Sequence, residues 1–182
     1  MQIDQRQILY GDMPVTIQRL NADQIETAKA VVAAGCFEFF GQTHTNLEDM
    51  DRLAAHYVEP TGTFLVLLDE QRVVGTGAIR RLDEETCELK RMWFLPAYRG
   101  QGYGAKMCGL LFEFARSAGY QRVRLDTSPL LEAANKLYRR LGFYPIERYN
   151  DGPGTVFMER SLRQEAQTQT PSTVRAVAGD GR

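Results

Sequence analysis

The run Arg99-Gly100-Gln101-Gly102-Tyr103-Gly104 sets three glycines at alternate positions just before a helical stripe of Tyr103, Met107, Leu110, Leu111, Phe114 and Ala118. Glycine lacks a Cβ, so a backbone of this kind can approach an anion closely. The first amides of a helix have no partner within it and lie at the positive end of its dipole. Together these features make a main-chain phosphate cradle. The string Gln/Arg-x-x-Gly-x-Gly/Ala arises by chance roughly 0.5 times in a chain of this composition. Its weight therefore comes from its place, after a strand and at the start of a helix. A dinucleotide fingerprint needs a third glycine where Ala105 stands, and a Walker loop needs Gly-Lys-Ser/Thr where the chain has Ala105-Lys106-Met107. Nucleotide hydrolysis is disfavoured. His44 and His56 are the two histidines, and Cys36, Cys87 and Cys108 are widely spaced, so no HExxH or CxxC pattern exists. The cysteines read as reduced, buried thiols, and no metal is expected.

The elements that must position the loop follow from periodicity. Met13 to Leu20 alternates as a strand, and Asn21 with Gln24 forms a capping box ahead of a helix of about 14 residues carrying Ile25, Ala28, Val32, Cys36 and Phe39. After a loop at Gly41 to Thr45, Asn46 caps a second helix striped by Leu47, Met50, Leu53, Ala54, Tyr57 and Val58. Thr63–Leu68, Val73–Arg81 and Cys87–Leu95 form an antiparallel meander. The glycine loop and its helix then lead, past Gly119, to a strand at Arg122–Asp126, completing a right-handed parallel crossover. Ser128 as cap and Pro129 in the first turn open a third stripe of Leu131, Ala134, Leu137, Tyr138 and Leu141. Gly142 ends it as a left-handed cap, which puts Tyr138 at C3 and Phe143 at C″, two positions that commonly touch. Spacing alone makes Tyr138 a core residue. Phe143–Arg148 and Thr155–Leu162 are the last strands.

The chain of 182 residues is 43 % hydrophobic and 25 % charged with net charge −1, an ordinary globular composition. It divides into an N-terminal extension (1–12), one domain (13–162) and a tail (163–182) too poor in large apolar residues to be expected to fold. Neutrality supplies no field to recruit nucleic acid or an anionic membrane, and Arg80, Arg81, Lys90 and Arg91 are offset by Asp83, Glu84, Glu85 and Glu88. Any anion must be held by a local device. With no apolar run of membrane length and no basic-then-apolar leader, a cytoplasmic location is expected.

Two segments in this order, ELKRMWFLPAYRGQGYGAKM (Glu88 to Met107) and ANKLYRRLGF (Ala134 to Phe143), resemble the GNAT superfamily of N-acetyltransferases, with a match running from about Val15 to Leu162. The resemblance implies an α/β fold: a mixed, mostly antiparallel sheet with a splayed parallel pair, flanked by four helices. Acetyl-CoA would lie in the gap between the strands at Glu88–Leu95 and Arg122–Asp126. The loop Gly100, Gln101, Gly102, Tyr103 and Gly104 would hold the pyrophosphate through its amides, with Arg99 and Lys106 as further phosphate contacts. Backbone groups around Met92, Trp93 and Phe94 would pair with the pantetheine arm. Leu131 stands where many members carry a pantetheine-binding Asn, and Asn135 is the candidate substitute.

The same resemblance moves Tyr138 from the core to the chemistry, as the acid that protonates the departing thiolate. A phenol of ordinary pKa near 10 is a suitable acid for a thiolate whose conjugate acid lies near 8.5. Glu88 is the candidate base, acting through water, with a cross-strand pairing to Lys90 or Arg91 as its structural alternative. The implied acceptor is a primary amine on a small molecule, amino acid or peptide, and the implied state is monomer or homodimer. Acceptor identity belongs to Phe37–Thr45 and Arg148–Thr155, where Phe39, Phe40 and Tyr149 suggest an aromatic wall and Glu38, Glu48 or Asp49 would suit an amine. A protein that binds acetyl-CoA as a sensor without transferring the acetyl group is the alternative function.

Overall fold

The computed structural model describes residues 7–10, 13–41 and 48–163. In chain order these form β1 (Gln7–Tyr10), β2 (Met13–Arg19), α1 (Ile25–Phe40), α2 (Glu48–Asp51), α3 (Leu53–His56), β3 (Thr63–Asp69), β4 (Arg72–Arg81), β5 (Thr86–Phe94), α4 (Tyr103–Ser117), β6 (Arg122–Thr127), α5 (Glu132–Arg140), β7 (Tyr144–Pro145) and β8 (Val156–Ser161). The sheet has eight strands in the order β1-β2-β3-β4-β5-β6-β8-β7. Every neighbouring pair is antiparallel except β5 and β6. The architecture is the mixed, mostly antiparallel α/β sheet that the sequence implies.

Alternation along the strands sends side chains to two cores. On one face α1 lays Ala28, Val31, Val32 and Cys36 against Val66, Ala78 and Val73, with Met50 and Tyr57 completing the cluster. On the other, α4 lays Met107, Cys108, Leu111 and Ala115 against Leu65, Leu67, Ile79, Val123 and Leu125. Gly35 lets α1 settle on the sheet: a Cβ there would sit 2.8 Å from Cδ2 of Trp93. All three cysteines are buried and free. Among the described residues no helix is long and apolar enough to cross a membrane.

Several boundaries differ from the sequence reading, each for a local reason. The stretch before Met13 contributes β1, which pairs with β2 from Gln7↔Thr16 to Tyr10↔Met13. The second helix is broken at Arg52 (φ −110°, ψ 41°) into α2 and α3, and its expected cap Asn46 and Leu47 lie outside the described residues, as does the tail beyond 163. Ser128 does not cap α5. Its carbonyl accepts from Leu131 N (3.0 Å) and from Asn135 Nδ2 (2.9 Å), so the chain makes a turn first and the helix starts at Glu132. The last two strands are shorter than expected because Arg148 donates to the carbonyls of Asn150, Gly152 and Gly154, holding 146–155 as a loop.

What positions the site is the central parallel pair. β5 and β6 share three rungs, Thr86↔Arg122, Cys87↔Val123 and Glu88↔Arg124, and pairing stops there although both strands continue. On its other edge β5 carries a bulge against β4, where the register shifts between Thr76 and Ala78. Arg91 takes a left-handed φ of 58° there, and its carbonyl accepts from Thr76 Oγ1 at 2.6 Å. A bulge bends and twists its strand. Here it falls three residues beyond the last shared rung, on the stretch of β5 that β6 no longer pairs, and the opening between the two strands there is the gap.

Candidate active site

The glycine loop lies at the C-terminal end of β5. A 3-10 turn at Pro96–Tyr98 follows the strand, and Gly100 (φ 73°) and Gly102 (φ 84°) adopt left-handed backbone. Space stands open where either Cβ would be. Gly102 is the N-cap of α4, its carbonyl accepting from Lys106 N at 3.1 Å. Gly104 packs on Leu137 of α5, 3.0 Å from its would-be Cβ, which seals the loop against the next helix. The Gln101 side chain bonds Ala97 O at 2.5 Å, and Lys106 Nζ lies 5.7 Å from the Tyr103 ring centroid. Arg99 differs from expectation. Its Nη1 and Nη2 bond Glu38 at 2.6 and 2.7 Å, its Nε bonds Phe94 O at 2.8 Å, and its head lies over Phe39. The guanidinium therefore ties the loop to α1 and is committed to a carboxylate, not presented to a phosphate.

Tyr138 sits on α5 as the spacing predicts. Phe143 N bonds Tyr138 O and Gly142 N bonds Arg139 O, both at 3.0 Å, with Gly142 at φ 85°: the two bonds of a glycine-terminated helix. The Tyr138 and Phe143 rings meet edge to face, 5.7 Å between centroids. The tyrosine is 6 % exposed, and none of the described residues makes a hydrogen bond to its hydroxyl. Burial pushes its pKa well above the usual tyrosine value, and Cys108 and Asp126 add to the rise, so the group is a protonated phenol throughout the neutral range. Nearby, Asn135 spends Nδ2 on Ser128 O while its Oδ1 is buried and has no partner among the described residues, as is the case for Thr127 Oγ1.

On the α1 face of the gap lies a set of buried charges. Glu88 is fully buried. Its Oε2 accepts from Arg80 Nε at 2.5 Å, and its Oε1 accepts from Tyr149 Oη at 2.8 Å and Asn150 Nδ2 at 3.1 Å. The cross-strand partner is thus Arg80, directly opposite on β4, and not Lys90 or Arg91. Lys90 instead reaches across the gap to Asp126, 3.0 Å away on β6. Arg91 and Tyr57 both bond Asp49, pinning α2 to the bulge.

Burial alone would raise the pKa of Asp49, but hydrogen bonds from Arg91 and Tyr57 outweigh it and hold the carboxylate below the ordinary range. A depressed carboxylate stabilises the fold above its unfolded pKa, about 3.9, and loses that contribution as pH falls through the lower folded value. Urea unfolding of wild type and Asp49→Asn from pH 6 to 2.5 checks this: the difference between them narrows below about pH 4.

Comparison with known proteins bears on this geometry. Residues 32–143 match the model of the acetyltransferase (GNAT) family. The chain belongs to this family. It is 38 % identical over 120 residues to the uncharacterized N-acetyltransferase YjgM of Escherichia coli, covering 64 % of this chain and 72 % of that one. It is 36 % identical over 110 residues to the N-acetylaspartate synthetase of Danio rerio, covering 59 % of this chain but 38 % of that longer one. Among solved structures, a GNAT acetyltransferase of Staphylococcus aureus Mu50 superposes with TM-score 0.76 at 21 % identity, over 82 % of this chain and 99 % of that one. The PaiA N-acetyltransferase of Thermoplasma acidophilum, in complex with coenzyme A, gives 0.66 at 16 % identity, over 82 % and 99 %. With the family comes the class of enzyme: an acyl-CoA-dependent N-acyltransferase.

Within this GNAT enzyme the expected residues fall on β5, the loop that follows it, α4 and α5. The glycine loop follows β5 and packs through Gly104 on α5, the helix that carries Tyr138 and Asn135, and Glu88 lies at the last rung between β5 and β6. Around Met92, Trp93 and Phe94 the β5 edge has lost its β6 partner, while the side chains pack away: Met92 and Phe94 toward α4, Trp93 under α1. Glu38 and Asp49 are spent on Arg99 and Arg91, and Tyr149 on Glu88. The sequence reading missed Arg80, Lys90 and Asp126. Arg80 and Glu88 alternate out of the same hairpin, a signal available from the turn at Asp83 to Glu85. Pairing Lys90 with Asp126 needs the parallel register, which no local signal fixes.

Proposed function

We propose that the enzyme transfers an acetyl group from acetyl-CoA to a primary amine by direct attack within a ternary complex, with Tyr138 as the acid for the departing sulfur. The observation that carries this reading is the end of β5–β6 pairing at Glu88↔Arg124, which leaves the two strands unpaired beyond that rung, toward the glycine loop that follows β5. The residues fit the cosubstrate. Open space around Gly100 and Gly102 at the start of α4 suits a pyrophosphate. Asn135 Oδ1 and Thr127 Oγ1, buried acceptors to which none of the described residues donates, suit the amide N–H groups of a pantetheine arm. Bound acetyl-CoA supplies an activated thioester.

The protein's part is positioning and one proton. The amine nitrogen bonds the acyl carbon as the C–S bond breaks, Tyr138 gives its hydroxyl proton to sulfur, and the proton lost by nitrogen passes to solvent and returns to the phenolate. No covalent acyl-enzyme is required. Glu88, fully buried under three hydrogen bonds, is assigned to positioning: it clamps Tyr149 and Asn150 of the 146–155 loop onto β5. Initial rates with acetyl-CoA and amine varied together test the reading. Intersecting double-reciprocal lines are expected; parallel lines would indicate a covalent intermediate, and coenzyme binding without turnover on any amine would indicate a sensor.

A further inference from the structure

Resting on the N-acetyltransferase reading, we propose that the acceptor is a free α-amino acid in its zwitterionic form, its ammonium seated on Asp126 and its carboxylate on Lys90. The last rung joining the central strands is Glu88↔Arg124. Lys90 and Asp126 lie two residues further on along each strand, on the same face, and their 3.0 Å contact is the bridge across the opening.

Among the charges at the end of β5–β6 pairing, Lys90 and Asp126 have the fewest other partners. Glu88 is committed to Arg80, Tyr149 and Asn150; Arg124 to Glu159, which Tyr144 also bonds; Arg91 to Asp49. Lys90 and Asp126 bond each other alone among the described residues, and Asp126 Oδ2 accepts no hydrogen bond there. The carboxylate is fixed in place, because Gly154 wraps it so closely that a Cβ would stand 2.5 Å from Oδ2 and 2.7 Å from Asp126 Cβ. The lysine is the mobile half, a long stem with 21 % of its side chain exposed. An ammonium seated on Asp126 gives up one proton to solvent before its nitrogen attacks the acyl carbon, and a second as the amide forms.

Charge balance selects the ligand. A simple amine entering as its cation would satisfy Asp126 and strip Lys90 of its counter-ion in a half-buried site, where an unpaired charge is costly. An α-amino acid brings both charges on neighbouring carbons and replaces one ion pair with two. Nothing is left uncompensated.

The test compares free amino acids with their α-amides and with alkyl amines, following coenzyme A release, in wild type, Lys90→Gln and Asp126→Asn. Acetyl-CoA binding by calorimetry serves as the check on folding. Expected is a preference of about 10- to 100-fold in kcat/KM for the amino acid over its amide, less than a dry site would give because solvent reaches Lys90. In Lys90→Gln that preference falls toward unity through a higher KM for the amino acid. In Asp126→Asn both acceptors lose kcat/KM. Amides or alkyl amines used as well as free amino acids, or a preference unchanged in Lys90→Gln, would overturn the proposal while leaving the acetyltransferase reading intact. Coenzyme binding with no turnover on any acceptor would overturn both.

Discussion

Tyr138→Phe is expected to lower kcat by about 100- to 1,000-fold, the range lost with a positioned general acid, while stability and acetyl-CoA affinity stay near wild type. The geometry makes these outcomes separable. The ring is core in every sense that packing can give: it is 6 % exposed and set edge to face against Phe143 by the Gly142 cap. Phenylalanine keeps all of that. The substitution removes only a hydroxyl that none of the described residues bonds, so the stability change is expected within about 0.5 kcal/mol. If Tyr138 were only core, its hydroxyl would be dispensable and kcat would not move. The pH dependence is a second check. Burial raises its pKa, so the acid form persists above the ordinary tyrosine value near 10. The kcat profile should therefore show no falling limb from this group below about pH 10. Such a limb in wild type, lost in Tyr138→Phe, would assign the group an ordinary pKa and remove burial from the argument.

Which parts of this site were legible in the sequence follows from the range over which each part is determined. The cap that orients Tyr138 spans six residues, Tyr138 to Phe143, and its signal, a glycine after an apolar stripe, is entirely local. The glycine loop is equally local, and Gly100 and Gly102 do take the left-handed backbone that only glycine adopts freely. Arg91 takes it as well, at φ 58°, and nothing in its identity announces the bulge. That bulge lies on the stretch of β5 that β6 no longer pairs. Its cause is tertiary, with Thr76 Oγ1 on the Arg91 carbonyl and Asp49 and Tyr57 around the guanidinium. Arg99 shows the same limit from the other side. Its position beside the glycines suited a phosphate, but Glu38 on α1, 61 residues away in sequence, holds its head. Residue type and spacing could place a left-handed glycine loop at the start of α4; they could not say which charges were already paired.

Glu88→Ala is expected to be the most destabilising single change at the site, and the reason is the cation it leaves behind. Breaking a buried ion pair by removing one partner costs about 3–5 kcal/mol, because the remaining charge is stranded. Arg80 keeps 28 % of its side chain exposed, so solvent relieves part of that and the lower end, about 3 kcal/mol, is expected. Tyr149 and Asn150 lose their shared acceptor at the same time, which frees the 146–155 loop from β5. Glu88→Gln separates positioning from proton transfer. Glutamine keeps an oxygen for Tyr149 and Asn150 but not the charge for Arg80. A positioning role predicts a higher KM for the amine, a lowered urea midpoint, and a pH profile of kcat/KM with the same inflections as wild type. A base predicts instead that kcat falls at every pH; the urea midpoint drops in either case, because Arg80 loses its counter-ion. The distinction decides where the amine's proton goes. If Glu88 positions, solvent takes it and the carboxylate nearest the reacting nitrogen is Asp126; if Glu88 is the base, its clamp on Tyr149 and Asn150 must open during turnover.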